Sequence, residues 1–140
     1  MGLPQPDDLT SLVLRTDFSD DRAWEAVQTT INASSEYLSA TYVSDPAYTG
    51  ADVQALVDAN SIADDDDKLF YLFLADEVTM ADAEHPLLAV DLADEPGRTF
   101  RVAPRWYIDI SANLCIANLD FADFADSVDS SGTYRGLGGD

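Results

Sequence analysis

Three aspartates stand at the ends of predicted strands, and they are the side chains in this sequence best placed to do chemistry. Asp17, Asp76 and Asp91 each come within two residues of the end of a short apolar run. In a parallel α/β sheet, ligands bind outside the carboxyl ends of the strands. Carboxylates that meet there could hold Mg²⁺ or act as acid and base, so we take these three as candidate catalytic residues. The alternative is that they form turns and cap helices.

The arginines are the complementary candidates, because there are few of them. Arg15 and Arg101 lie in predicted strands, and Arg135 lies near the end of the chain. An arginine in a cleft could bind an anionic ligand, whereas an arginine among so many carboxylates could instead form ion pairs. We predict these three as candidate ligand-binding residues.

The remaining reactive side chains fit no known catalytic motif. His85 is the only histidine and Cys115 the only cysteine, and no G-x-S-x-G, P-loop, CxxC or H-E-x-x-H string occurs. The four aspartates at 64–67 lack the spaced ligands of an EF-hand loop and are typical of a solvated turn. A receiver-like pocket would need an acidic pair closing the first strand and a late lysine, but the only lysine is Lys68. We expect neither a metal nor a cofactor.

The elements that position these side chains alternate between two kinds of pattern. Short apolar runs predict strands, and apolar residues at i, i+3, i+4 and i+7 predict helices. The segment 104–112 fits both patterns, because Pro104 could begin a helix while Trp106, Ile108 and Ile110 alternate as a strand would. Strands are predicted at 11–16, 38–43, 69–74, 87–90 and 99–102, an extended segment at 113–118, and helices at 20–33, after Gly50 and at 121–128.

This alternation favours a layered α/β domain with a mostly parallel or mixed sheet of about five strands and flanking helices. We assign residues 1–9 to a lead-in segment, 10–130 to the domain, and 131–140 to a flexible Gly-rich tail.

Composition restricts the partners of this domain. The chain of 140 residues has 27 acidic and 7 basic residues, a formal net charge of −20. Genomic base composition or salt adaptation would explain this bias, and so would a basic protein partner. Phosphates repel such a surface, so we expect no direct nucleic-acid binding. One cysteine suits a reducing cytoplasm, and no apolar run reaches the roughly 20 residues that span a membrane.

Several strings in the chain also resemble a small domain family of unknown function found mainly in actinobacteria. The resemblance implies a bacterial cytosolic protein and carries no activity. It rests on LPQPDDLT at 3–10, VLRTDF at 13–18, FLAD at 73–76, PLLAVDL at 86–92, RTFRV at 98–102, NLCIANLDFADFA at 113–125 and GTYRG at 132–136.

From these observations the sequence predicts a protein-interaction or regulatory module. The alternative is a small enzyme that uses an Asp-lined cleft at the strand ends, in specialised metabolism.

Overall fold

The fold is an α/β layer built on one mixed sheet. A computed structural model of the chain describes residues 11–33, 40–64, 68–93, 95–108, 110–111, 121–128, 130 and 132–134. The strands are β1 (Leu12–Arg15), β2 (Thr41–Val43), β3 (Tyr71–Ala75), β4 (Leu87–Asp91), β5 (Thr99–Val102) and β6 (Thr133–Tyr134). The helices with defined bounds are α1 (Asp21–Ala33), α2 (Val53–Ser61), α3 (Glu77–Ala81) and α4 (Phe121–Ala125). The predicted α/β class is confirmed, with six strands in place of about five.

The sheet order is β2-β1-β3-β4-β5-β6, and its first three strands are parallel. The chain passes from β1 through α1 to β2 on one side, then through α2 to β3 on the other side of β1. Because β2 and β3 lie on opposite sides of β1, the strand order reverses between β1 and β3, and this is the topological switch point of the fold. Right-handed crossovers in opposite directions place their helices on opposite faces of a sheet.

Each face of the central strands has its own apolar core. Val13, Phe73 and Ala89 are aligned across β1, β3 and β4, and they belong to the same core cluster as Trp24 and Val27 of α1. Leu14 and Leu74 point to the other face, where they share a cluster with Leu56 of α2. Because both faces are covered, these strands are continuous apolar runs without alternation, as the sequence indicated.

The second half of the sheet is antiparallel. β4 runs antiparallel to both β3 and β5, while the two-residue β6 runs parallel to β5. The buried Tyr134 anchors β6, so the sheet includes residues 133–134, which lie within the segment 131–140 that we had assigned to the tail.

Tertiary packing decides the ambiguous segment at 104–112 in favour of a helix. Pro104–Trp106 is a 3₁₀ helix, and residues 107, 108, 110 and 111 are helical. Tyr107 and Ile110, three positions apart, are both fully buried, so they lie on one helical face turned to the core. The lead-in at 1–9, the extended segment at 113–118 and the first part of the second predicted strand, at 38–39, lie outside the described residues.

Candidate functional site

The most informative cavity lies at the switch point, and we call it the switch-point cleft. It has a volume of about 270 Å³ and is formed by the segments that follow β1, β2 and β3. Two main-chain hydrogen bonds draw these segments together: Gly50 N donates to Thr16 O at 2.8 Å, and Thr16 N donates to Ala75 O at 2.9 Å. Gly50 has a φ of +72°, a left-handed conformation that glycine adopts without strain.

The switch-point cleft is lined by both acidic and apolar side chains. Leu74 and Leu88, neighbours across β3 and β4, contribute apolar surface. The carboxylate residues that line the cleft are Asp17, Asp52, Asp76 and Glu77. Such a surface accepts hydrogen bonds and attracts cations while offering methyl groups for an aliphatic stem to contact.

Asp17 lies in the turn between β1 and α1 and is half-buried. Its carboxylate accepts hydrogen bonds from the main-chain N and the hydroxyl of Ser19, which hold the side chain in place. Asp20, the next acid, accepts from the main-chain N atoms of Arg22 and Ala23. Asp20 therefore caps α1, and Asp17 is not needed for that role.

Asp76 forms the strongest polar contact of the site. Its two carboxylate oxygens accept from Nη1 and Nη2 of Arg101 at 2.8 and 2.9 Å, a bidentate ion pair with both side chains about one-fifth exposed. It also caps α3 through a capping box with Thr79. Burial by itself raises the pKa of Asp76, but the hydrogen bonds and charge of Arg101 and the bonds from Thr79 outweigh it and leave this pKa below the ordinary aspartate value.

Two further acids of the cleft were not among our candidates. Asp52 caps α2, where its carboxylate accepts from Ala55 N at 2.8 Å, and Glu77 is exposed in the first turn of α3. A signal for Asp52 was present in the sequence, because an aspartate directly before a predicted helix occupies a typical N-cap position. Its proximity to Asp17 depends on the pairing of β1 with β2 and could not be read from the sequence.

Asp91 lies at the opposite end of the sheet from Asp17 and Asp76. Because β4 runs antiparallel to β3, Asp91 pairs with Tyr71 at the start of β3. Its buried carboxylate accepts from Ala93 N at 2.9 Å and Glu95 N at 3.0 Å, and so holds the turn into β5. Two of the three candidate aspartates thus share the cleft, and the third organises a turn elsewhere.

The candidate arginines are also separated. Arg15 is buried, bonds to Asp21 Oδ1 at 2.8 Å and to Asp17 O through Nε at 2.9 Å, and lies 4.5 Å from the ring centroid of Phe18. Cation–π contact and these bonds tie it to the start of α1. Arg101 is engaged by Asp76. Arg135 lies outside the described residues, as does Cys115.

His85 stands in the turn between α3 and β4 with a φ of +49°. Its Nδ1 lies 3.0 Å from Thr79 O. A carbonyl oxygen only accepts, so Nδ1 is the donor and carries the proton. Across the ranges that the structure describes, no three His, Cys, Asp or Glu side chains are grouped so that they could hold a metal ion.

Comparison with known proteins gives a family. No helix in the described part of the chain is long and apolar enough to cross a membrane. A search among curated proteins finds no match. The model of a domain of unknown function, DUF6924, matches residues 10–137, which is nearly the whole chain. The protein therefore belongs to the DUF6924 family.

Proposed function

We propose that this domain is a protein-interaction module that binds a basic segment of a partner protein in the switch-point cleft. The observation that carries the proposal is the composition of that cleft, which is lined by acidic side chains together with Leu74 and Leu88 at the place where α/β folds bind ligands. Arginine and lysine side chains match it, since their methylene stems pack on apolar surface while the charged head pairs with carboxylates.

The charge balance of the cleft supports this proposal. Arg101 neutralises Asp76, whereas no cation pairs with Asp17, Asp52 or Glu77 among the ion pairs of the described residues. The formal charge of −20 over the whole chain adds long-range attraction and speeds the encounter with a basic partner. The same charge disfavours direct contact with nucleic acid.

The cysteine content bears on where the module acts. With a single cysteine, the chain suits a reducing compartment, and we propose that it binds its partner in the cytoplasm.

Peptide binding tests the proposal with matched variants. The probe is a fluorescent nonapeptide of alternating Arg and Gly, measured by anisotropy at low and at physiological salt. Asp17→Asn combined with Glu77→Gln removes two charges from the cleft, and Asp58→Asn combined with Glu25→Gln removes two exposed charges from helix surfaces elsewhere.

We expect the cleft pair to weaken binding about tenfold at physiological salt, because each close charge pair contributes to affinity. The control pair should change binding less than about twofold, because solvent and salt screen distant charges. Equal losses in the two double variants would mean that the peptide senses only net charge, and the proposal would fail.

A small enzyme is the second candidate, since Asp17 and Asp76 line the same cleft. Asp76, with its lowered pKa, would serve there as a fixed negative charge beside Asp17, whose carboxylate pairs with no cation among the ion pairs of the described residues. A thermal-shift screen of small metabolites tests the enzyme hypothesis. Stabilisation by an uncharged or anionic small molecule that disappears in Asp17→Asn would favour the enzyme over the interaction module.

A further inference from the structure

Two large apolar side chains are strongly exposed on a surface distant from the switch-point cleft. Ile62 is 74% exposed and Phe70 is 72% exposed, whereas the next large apolar side chain in the described residues, Val78, is 39% exposed. Isolated exposed apolar residues are common, but a larger exposed apolar area with a polar rim marks a contact site.

A buried polar clamp joins the two chain segments that carry these side chains. Asn60, only 4% exposed, donates from Nδ2 to Leu69 O at 3.0 Å and accepts from Leu69 N at 2.8 Å. Ile62 follows Asn60 by two residues and Phe70 follows Leu69 directly, so the clamp fixes the backbone next to each of the two exposed side chains. Phe70 O also accepts from Leu92 N at 2.9 Å, which ties Phe70 to the sheet.

The electrostatic surroundings of the pair are negative. Helix α2 ends at Ser61 with no basic residue in its last turn, so the partial negative charge of its carbonyl end is unbalanced by its own side chains. Asp64 is exposed immediately afterwards. One lysine, Lys68, lies two positions before Phe70 and is half-buried.

We propose that Ile62, Phe70 and Asp64, with the carboxyl end of α2, form a second docking surface that takes a basic amphipathic helix of a partner protein. Apolar residues of that helix would pack on Ile62 and Phe70, and its lysines or arginines would face Asp64 and the helix end. Charge complementarity selects this occupant over a second copy of the chain, because two chains of charge −20 repel each other.

This second surface is separate from the cleft and does not depend on its proposed role. The first residues of α2 lie at the cleft and the last lie at Ile62, and a helix of nine residues is about 13 Å long. The two surfaces can therefore be tested independently with different variants.

A designed peptide and its twins test the proposal on the full chain. The probe is a labelled 18-residue amphipathic helix of leucine and lysine. The first twin replaces every lysine with glutamate, and the second replaces every leucine with serine. The protein variants are Ile62→Ser with Phe70→Ser, and Val78→Ser as a control that removes an exposed apolar side chain elsewhere. Circular dichroism checks that each variant is folded.

We expect the leucine–lysine peptide to bind the wild type, and the double variant to weaken binding by about tenfold or more, the effect of losing one well-buried apolar side chain. Val78→Ser should bind like the wild type. The glutamate twin should not bind, and any binding of the serine twin, whose lysines can still enter the switch-point cleft, should be equal in the wild type and the Ile62/Phe70 double variant. Equal binding of the leucine–lysine peptide by the wild type and the double variant would overturn the proposal, and so would a serine twin that loses as much affinity in the double variant as the leucine–lysine peptide does. It would also be overturned by sedimentation showing a wild-type dimer that the double variant abolishes, because the occupant would then be a second copy.

Discussion

Removing the negative charge of Asp76 while keeping its capping role should destabilise the fold, and the loss should depend on pH. Asn is a good N-cap residue, so Asp76→Asn preserves the start of α3. It deprives the guanidinium of Arg101 of its only charged partner among the ion pairs of the described residues. Arg101 then remains largely buried with an unbalanced charge.

The magnitude follows from the geometry of the pair. Losing one partner of a buried pair costs about 3–5 kcal/mol, and exposed pairs contribute about 0–1 kcal/mol. With side chains 22% and 20% exposed, the pair lies between these limits, and we expect a loss of about 2 kcal/mol in the free energy of unfolding at pH 7. A double-mutant cycle with Arg101→Met should give a coupling of about 1–2 kcal/mol.

The pH dependence has a defined sign. The pKa of Asp76 is lower in the folded state than its ordinary value, about 3.9, which we take for the unfolded chain. Its contribution is therefore complete above the unfolded value and is lost as the pH falls through the folded one. The difference in unfolding free energy between wild type and Asp76→Asn should be constant from pH 7 to about pH 5 and should shrink below about pH 4.

Urea unfolding followed by circular dichroism measures these quantities, with Asp58→Asn as a control for an exposed charge. The control should change the free energy of unfolding by less than about 0.5 kcal/mol. A coupling within about 0.3 kcal/mol of zero would refute the assigned role of the pair. The assigned role would also be refuted if the difference in unfolding free energy between the wild type and Asp76→Asn did not change between pH 7 and pH 3.

Three further substitutions test the packing. Asn60→Ala should cost about 2–3 kcal/mol in urea unfolding, because it leaves the buried main-chain N and O of Leu69 without their partner, and a loss under 1 kcal/mol would contradict the clamp. Asp21→Asn should cost less than about 1 kcal/mol by the same measurement, since Asp21 is 84% exposed and the buried Arg15 keeps its bond to Asp17 O and its contact with the Phe18 ring, and a larger loss would mean that Arg15 depends on this one carboxylate. Phe73→Ala should cost about 3–5 kcal/mol, because Phe73 is fully buried in the α1-side core, and a native-like stability would show that this core is poorly packed.

Elements with strong local signals were predicted well. The spacing of Trp24, Val27 and Ile31 predicted helix α1, and the structure buries these three side chains. The strands predicted at 11–16, 69–74 and 87–90 are present at 12–15, 71–75 and 87–91. They are apolar throughout because both faces of each are covered. These signals are local, since each depends on residues within two turns of a helix or one strand length.

The candidate site was predicted only in part, for a geometric reason. The enzyme alternative needed Asp17, Asp76 and Asp91 to meet at one edge of the sheet, and that requires three strands pointing the same way. β4 points the other way, so Asp91 is removed to the far end of the sheet. An apolar strand has the same composition whichever direction it runs, and its neighbours determine its direction.

The sequence by itself determined the α/β class, the helix faces, the large negative charge and the presence of aspartates at strand ends. The tertiary structure alone decided which of those aspartates share a cleft, and that Arg101 reaches Asp76 across 25 positions of the chain. It also brought Asp52 to the same cleft. Side-chain periodicity is fixed over a few residues, whereas strand order and direction depend on contacts between residues far apart in the chain.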